Sequence, residues 1–309
     1  MTLPVQYLRA GYLAALETFD PAALDVDVSD KIFMITGANT GIGKAATMAI
    51  AKRGATIHML CQFADEDARK EIMEASGNKN LYIHVLDLSQ TLHVYQFAKQ
   101  FVESHNALDV LINCAACQPR TRQMTEDGLN VCYAVNTMAP YVLTTTLFPL
   151  LHKTGEARVI CVSSSGAYYD KGNFSDLQCE RMEPYNADVC YRHTKRCVII
   201  MTEMWARMYP GIQFSAMHPG VVNTELLKSV WPVLHDKVNR TPEEGADTLV
   251  WLSLAKAATT QTNGQFYFDR QVTHRYLPNM DFTRCTEEEM QVLMDSLEKK
   301  AAEIKEKNA

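Results

Sequence analysis

The run Tyr191-Arg192-His193-Thr194-Lys195 puts a phenol and an ammonium four residues apart, on one face of the chain if the segment is helical. A free phenol, with a pKa of about 10, is a poor proton donor or acceptor near neutrality. A cation about 4 Å away favours phenolate by about 4 kcal/mol at an effective dielectric of about 20. That is roughly three pKa units, enough to bring the group towards proton transfer at working pH. Spacing alone decides nothing, because Tyr95 and Lys99 share it and read as the exposed and packed sides of an ordinary helix. Context separates the two pairs. Tyr191 follows a strand-like stretch ending Val162-Ser163-Ser164-Ser165-Gly166, where a hydroxyl can donate to the same substrate oxygen. Taken alone, that stretch is equally well a serine-rich turn.

The elements that must position these groups start at Lys31. Ile32, Phe33, Met34 and Ile35 form an apolar run, as in a parallel strand buried on both faces. It enters Gly37-Ala38-Asn39-Thr40-Gly41-Ile42-Gly43 and then a helical pattern. Such a turn lets backbone approach a pyrophosphate while the free N–H groups of the helix start face the anion. Strand patterns recur at 55–60, 81–86, 108–113, 157–163, 212–217 and 264–268. Helical patterns fall between them, the spacing of βαβ units. The fold expected is α/β, one doubly wound parallel sheet of Rossmann type in a single domain over residues 30–272. A helical extension (1–29) precedes it, and a tail with an amphipathic surface helix (273–309) follows.

With these motifs together, the chain resembles the short-chain dehydrogenase/reductase family from about residue 30 to 268, and within it the retinol-dehydrogenase-like subgroup. The family signature TGxxxGxG stands here as Thr36, Gly37, Gly41 and Gly43. The resemblance implies a catalytic set of Tyr191, Lys195, Ser164 and Asn136. It implies cofactor contacts from Gly37, Asn39, Thr40, Gly41, Ile42, Gly43, Gln62, Asp87, Leu88, Asn113, Tyr191, Lys195, Pro219, Gly220, Val222 and Thr224. It also implies hydride transfer between nicotinamide and a carbonyl/alcohol pair. Tyr191 would carry the proton, Ser164 would polarise the oxygen, and Lys195 would lower the tyrosine pKa and hold the ribose. Asn136 would position Lys195 through a water.

Two departures matter. The family's Asn-Asn-Ala-Gly reads Asn113-Cys114-Ala115-Ala116, so a methyl at Ala116 stands where backbone normally runs closest to the cofactor, and weaker or displaced binding is expected there. The second strand ends Cys61-Gln62, without the acid that accepts from the ribose of NAD and without an Arg for the 2′-phosphate of NADP. Lys44 and Arg53 are the cations expected nearby. NADP is the cofactor expected, with NAD the alternative.

The 309 residues carry a net charge of -6 and no basic stripe, which argues against a nucleic-acid partner. Nine scattered cysteines suit a reducing, cytoplasmic setting; Cys114 and Cys117 read as two loop thiols rather than a redox pair. No apolar run approaches the roughly 20 residues that span a bilayer. The N-terminal stretch, with Leu8, Tyr12, Leu16 and Phe19 at helical spacing, either packs on the domain or contacts a membrane peripherally, and packing is expected. No histidine spacing suggests a metal. His193 reads as a surface or supporting residue and His218 as the end of a strand. Tyr168, Tyr169 and Tyr185 either line a pocket or pack their loop. Leu226, Leu227, Val230, Trp231 and Leu234 form an apolar stripe where the family has a substrate lid, which suggests a lipophilic small-molecule substrate. The stretch from Cys197 to Met201 either pairs subunits or faces the sheet, and the oligomeric state stays open. Competing readings are a cofactor-binding protein acting through partners and an epimerase or dehydratase using the same Tyr/Lys pair.

Overall fold

The computed structural model describes residues 4–307. Its sheet contains β1 (Ile32–Thr36), β2 (Thr56–Cys61), β3 (Leu81–Val85), β4 (Val110–Asn113), β5 (Arg158–Val162), β6 (Gln213–Met217), β7 (Gln265–Phe268) and β8 (Gln271–Thr273). The order is β3-β2-β1-β4-β5-β6-β7-β8. Neighbours from β3 to β7 pair in parallel. Strands β1, β2, β4, β5 and β6 are buried along almost their whole length, which is why they read as unbroken apolar runs. The order reverses between β1 and β4, the place where doubly wound sheets open a ligand crevice.

β8 is a strand that the sequence pattern does not suggest. It pairs antiparallel with β7 through a turn in which Asp269 and Arg270 have φ of 46° and 58°, the left-handed pair a two-residue hairpin needs. Arg270 is fixed there by both oxygens of Asp247, each at 2.7 Å.

The helices are α1 (Arg9–Leu16), α2 (Gly41–Ala51), α3 (Glu66–Ser76), α4 (Thr91–Ser104), α5 (Val131–Tyr133), α6 (Ala139–Thr154), α7 (Ala187–Met208), α8 (Glu225–Val230), α9 (Pro232–His235), α10 (Pro242–Leu254), α11 (Lys256–Thr259) and α12 (Glu287–Glu306). A π-helical turn, Ala134–Met138, joins α5 to α6. One core packs α4, α6, α7 and α12 on one face of the sheet, and a second packs α2, α3 and α10 on the other. Cys197, Val198, Ile199, Ile200 and Met201 are all buried within this chain, so this stretch of α7 faces the protein's own interior. The tail helix α12 starts at a Thr286/Glu289 capping box and buries Met290, Leu293, Met294, Leu297, Ala301 and Ile304.

Two peripheral segments are tied to this frame. The stretch between Ser164 and Tyr191 is held by Arg196, which is fully buried. Its guanidinium donates to the carbonyls of Ala167 (2.5 Å), Asp170 (3.0 Å) and Arg275 (2.7 Å). The N-terminal segment packs on the domain through buried Tyr7 and Tyr12, whereas Val5, Leu13 and Leu16 are exposed. Of the four residues at helical spacing, Tyr12 alone is buried.

Candidate active site

Helix α7 starts at Asn186, whose side chain accepts from the N–H groups of Asp188 and Val189. One turn in, it presents Tyr191 beside the end of β5. The two serines there face opposite ways. Ser163 donates to the carbonyl of Lys195 at 2.7 Å, tying the strand to the helix. Ser164 accepts from Gly166 N–H at 3.0 Å. Ser164 and Tyr191 line one cleft together.

Burial pushes the Tyr191 phenol pKa up, and the nearby Ser164 hydroxyl opposes that shift. The Lys195 ammonium donates to the Val162 carbonyl at 2.8 Å and lies 5.7 Å from the centre of the tyrosine ring; burial pulls its own pKa down. Desolvation disfavours the charged forms of both groups.

Asn136 sits in the π-helical turn, an irregularity often found at functional sites. It accepts from Cys117 N–H at 2.9 Å and donates to the Cys117 carbonyl (2.9 Å) and Thr194 Oγ1 (3.1 Å). It thereby fixes the loop after β4 against α7. The start of that loop is pinned by Thr36, whose Oγ1 accepts from the N–H groups of Cys114 and Ala115 at 2.9 and 3.0 Å. Asn113 does not line either cleft; its amide donates to Thr144 Oγ1 at 3.1 Å, behind β4.

The larger cleft, of about 370 Å3, runs over the ends of β1, β2, β3 and β4. Gly37, Asn39, Thr40, Gly41, Ile42, Gly43, Gln62, Asp87, Leu88, Tyr191, Lys195, Pro219 and Thr224 line it. Gly37 has φ +67°, and a Cβ there would come 3.1 Å from Ala115 Cα. A Cβ on Gly43 would strike the Gly37 carbonyl. This cradle is bare backbone beside a helix start, as an anionic diphosphate requires. Gln62 donates to Asp87 at 3.4 Å. The two cations expected nearby lie elsewhere. Lys44 pairs with Glu71 at 2.6 Å, and Arg53 donates to the carbonyls of Leu24 and Ala49 at the other end of α2. Glu71 on α3 and the carbonyl of Leu24 before β1 draw these long side chains away from the glycine turn.

The second cleft, of about 230 Å3, adjoins the first at Ile42, Ser163, Tyr191, Pro219, Thr224 and Leu226. Its outer wall is the apolar stripe Leu226, Leu227, Val230, Trp231 and Leu234 on α8 and α9. Thr224 caps α8 by accepting from Leu227 N–H, and Arg120 donates to the Val230 carbonyl at 2.6 Å. Gly220 and Val222 also line this cleft.

His218 is buried, stacked on Phe268 at 4.1 Å, and pushed down to about 3 by burial and by Arg240. His193 is buried too, accepting from Asn173 N–H at 3.2 Å. Tyr168 is a core residue, Tyr169 is exposed, and Tyr185 packs on Arg122. None of these lines either cleft. Phe63, Ser89, Cys114 and Cys117 do line the larger one; Phe63 and Ser89 carry no local pattern that marks them. Among the described residues no cluster could hold a metal ion, and no helix is long and apolar enough to cross a membrane.

Comparison with known proteins agrees with this architecture. The chain is 41% identical over 305 residues to human dehydrogenase/reductase SDR family member 12, covering 97% of this chain and 95% of that one. It is 31% identical to mouse retinol dehydrogenase 11, covering 86% and 87%. Among solved structures it resembles a protein of Escherichia coli assigned as a short chain dehydrogenase and complexed with NADPH. The TM-score is 0.63 at 23% identity, over 82% of this chain and all of that one. It also resembles the short chain dehydrogenase from Shigella flexneri, with TM-score 0.64 at 21% identity over 83% and 98%. The short chain dehydrogenase family profile matches residues 31–234, and the chain belongs to that family of oxidoreductases acting on CH–OH and C=O groups.

Proposed function

We propose that the protein is an NADPH-dependent reductase of a lipophilic carbonyl compound, with Tyr191 as proton donor. The observation that carries this reading is the meeting of two clefts at Tyr191: a glycine-walled one that suits a dinucleotide, and one lined by Ser164 and the apolar face of α8 and α9.

The bound nicotinamide would supply hydride chemistry. Ser164 would aim its hydroxyl proton at the substrate oxygen, its own oxygen being occupied by Gly166 N–H. Tyr191 would give its phenolic proton to the substrate oxygen in the reducing direction. Lys195 would hold the ribose from the floor of the cleft while anchored on Val162. Asn136 would keep the loop after β4 and helix α7 in register through Cys117 and Thr194. The choice of NADPH over NADH rests on Gln62, which offers no carboxylate to accept from ribose hydroxyls. The NADPH complex of the Escherichia coli relative supports the same choice.

Tyr191→Phe tests the reading. NADPH affinity should stay native by calorimetry, while NADPH oxidation with a panel of lipophilic aldehydes and ketones falls by about 10²–10⁴-fold. Native turnover in the Phe variant would sink it, and so would NADPH binding by the native chain without oxidation across the panel.

A further inference from the structure

We infer that the N-terminal strap, through Tyr7 and Tyr12, positions the loop that lines both clefts, so that these two tyrosines are positioning residues of the active site. The inference rests on the site proposed above. The Tyr7 carbonyl accepts from Val221 N–H at 2.8 Å, in the middle of the Pro219–Val222 stretch that borders the substrate cleft. Its ring packs edge-on against His218 (5.3 Å) and Phe268 (5.5 Å), the residues under that loop. Gly220 has φ +78°, and a Cβ on it would lie 2.8 Å from the Tyr7 carbonyl oxygen and against the Arg240 guanidinium. The loop is therefore shaped around the strap.

Tyr12 acts one step further out. Its ring lies 5.0 Å from the Arg240 guanidinium, and Phe268 lies 5.3 Å from it. Arg240 is buried and pairs with Asp269. Its carbonyl accepts from Asn223 N–H at 2.9 Å, and Asn223 Nδ2 donates to Val238 at 3.3 Å. These bonds clasp the two ends of the segment holding α8 and α9. An aromatic face over a desolvated guanidinium is worth more than the same contact in water, so Tyr12 helps fix the root of that clasp. Arg9 adds an ion pair to Glu244 at 2.7 Å.

Hydrogen exchange on the full chain, without cofactor, tests this in Tyr7→Ala, Tyr12→Leu and the conservative Tyr12→Phe. In the first two, exchange at Val221 N–H and across residues 224–240 should rise by about tenfold or more while β1 to β3 stay native, a local opening rather than a global one. Tyr12→Phe, which keeps the ring over Arg240, should match the native chain. Unchanged exchange at Val221, or an equal rise throughout the sheet, would overturn the inference. Because no cofactor is present, failure of the native chain to bind NADPH would sink the proposed function and leave this result standing.

Discussion

At Tyr191 two clefts meet that are walled by different materials. The dinucleotide side is backbone: Gly37, Gly41 and Gly43 at the end of β1, with Thr36 stapling the neighbouring loop. The substrate side is side chain: Leu226, Leu227, Val230, Trp231 and Leu234 on two short helices, with Trp231 45% exposed. A backbone wall has one shape and tolerates no added atom. An apolar side-chain wall tolerates exchange of volume and selects by size and greasiness. The first side should thus be brittle to substitution and the second graded.

Gly43→Ala should show the largest effect on that contrast. Its Cβ meets the Gly37 carbonyl, and overpacking of about 1–3 kcal/mol should weaken NADPH binding measured by fluorescence titration. A native affinity would break the contrast. Acid should act on the other side, through His218 beneath the substrate loop. Its pKa is ordinarily about 6.5 in an unfolded chain and is pushed down to about 3 in the fold. Below pH 6.5 the unfolded chain binds a proton that the folded chain refuses. Stability should therefore be lost as pH falls from about 6.5 to about 3, by at most about 1.4 kcal/mol per pH unit from this group. Urea midpoints in His218→Phe should show a shallower acid slope.

Gln62→Arg sharpens the first side, adding a guanidinium where a 2′-phosphate would lie. The ratio of NADPH to NADH affinity should rise by roughly tenfold, in line with the worth of about 1.5 kcal/mol for a charge-assisted hydrogen bond. Trp231→Ala should have the smallest effect, because nearly half of the ring is already in water. The KM for a lipophilic carbonyl should rise by about threefold to fivefold with kcat little changed, as expected for loss of about 1 kcal/mol of apolar contact. Equal sensitivity to bulky and small carbonyls would argue that this wall does not touch substrate.

The legibility of the sequence follows the same division. β1, β2, β4, β5 and β6 could be read because strands buried on both faces leave continuous apolar runs, β3 and β7 from shorter apolar stretches only partly buried, and Tyr191, Ser164 and the glycine turn because each sits at a strand end or one turn into a helix. What escaped was set by distant partners. β8 is short and largely exposed, so no run marks it. Arg240 lies in a polar stretch and is buried only because Asp269 and Tyr12, from far along the chain, close over it. Lys44 and Arg53 were read as cations near a phosphate, but Glu71 and two carbonyls claim them.

Arg196 follows Lys195 and holds three main-chain carbonyls rather than three side chains. A knot tied to main-chain oxygens is indifferent to the letters of the segment it secures. Within the stretch from Ala167 to Asp170 the exposed Tyr169 is therefore free to change, provided the path still delivers those oxygens, whereas Ala167 and Tyr168 are also held by the core. Loss of the one guanidinium would free the segment however well its own residues were preserved.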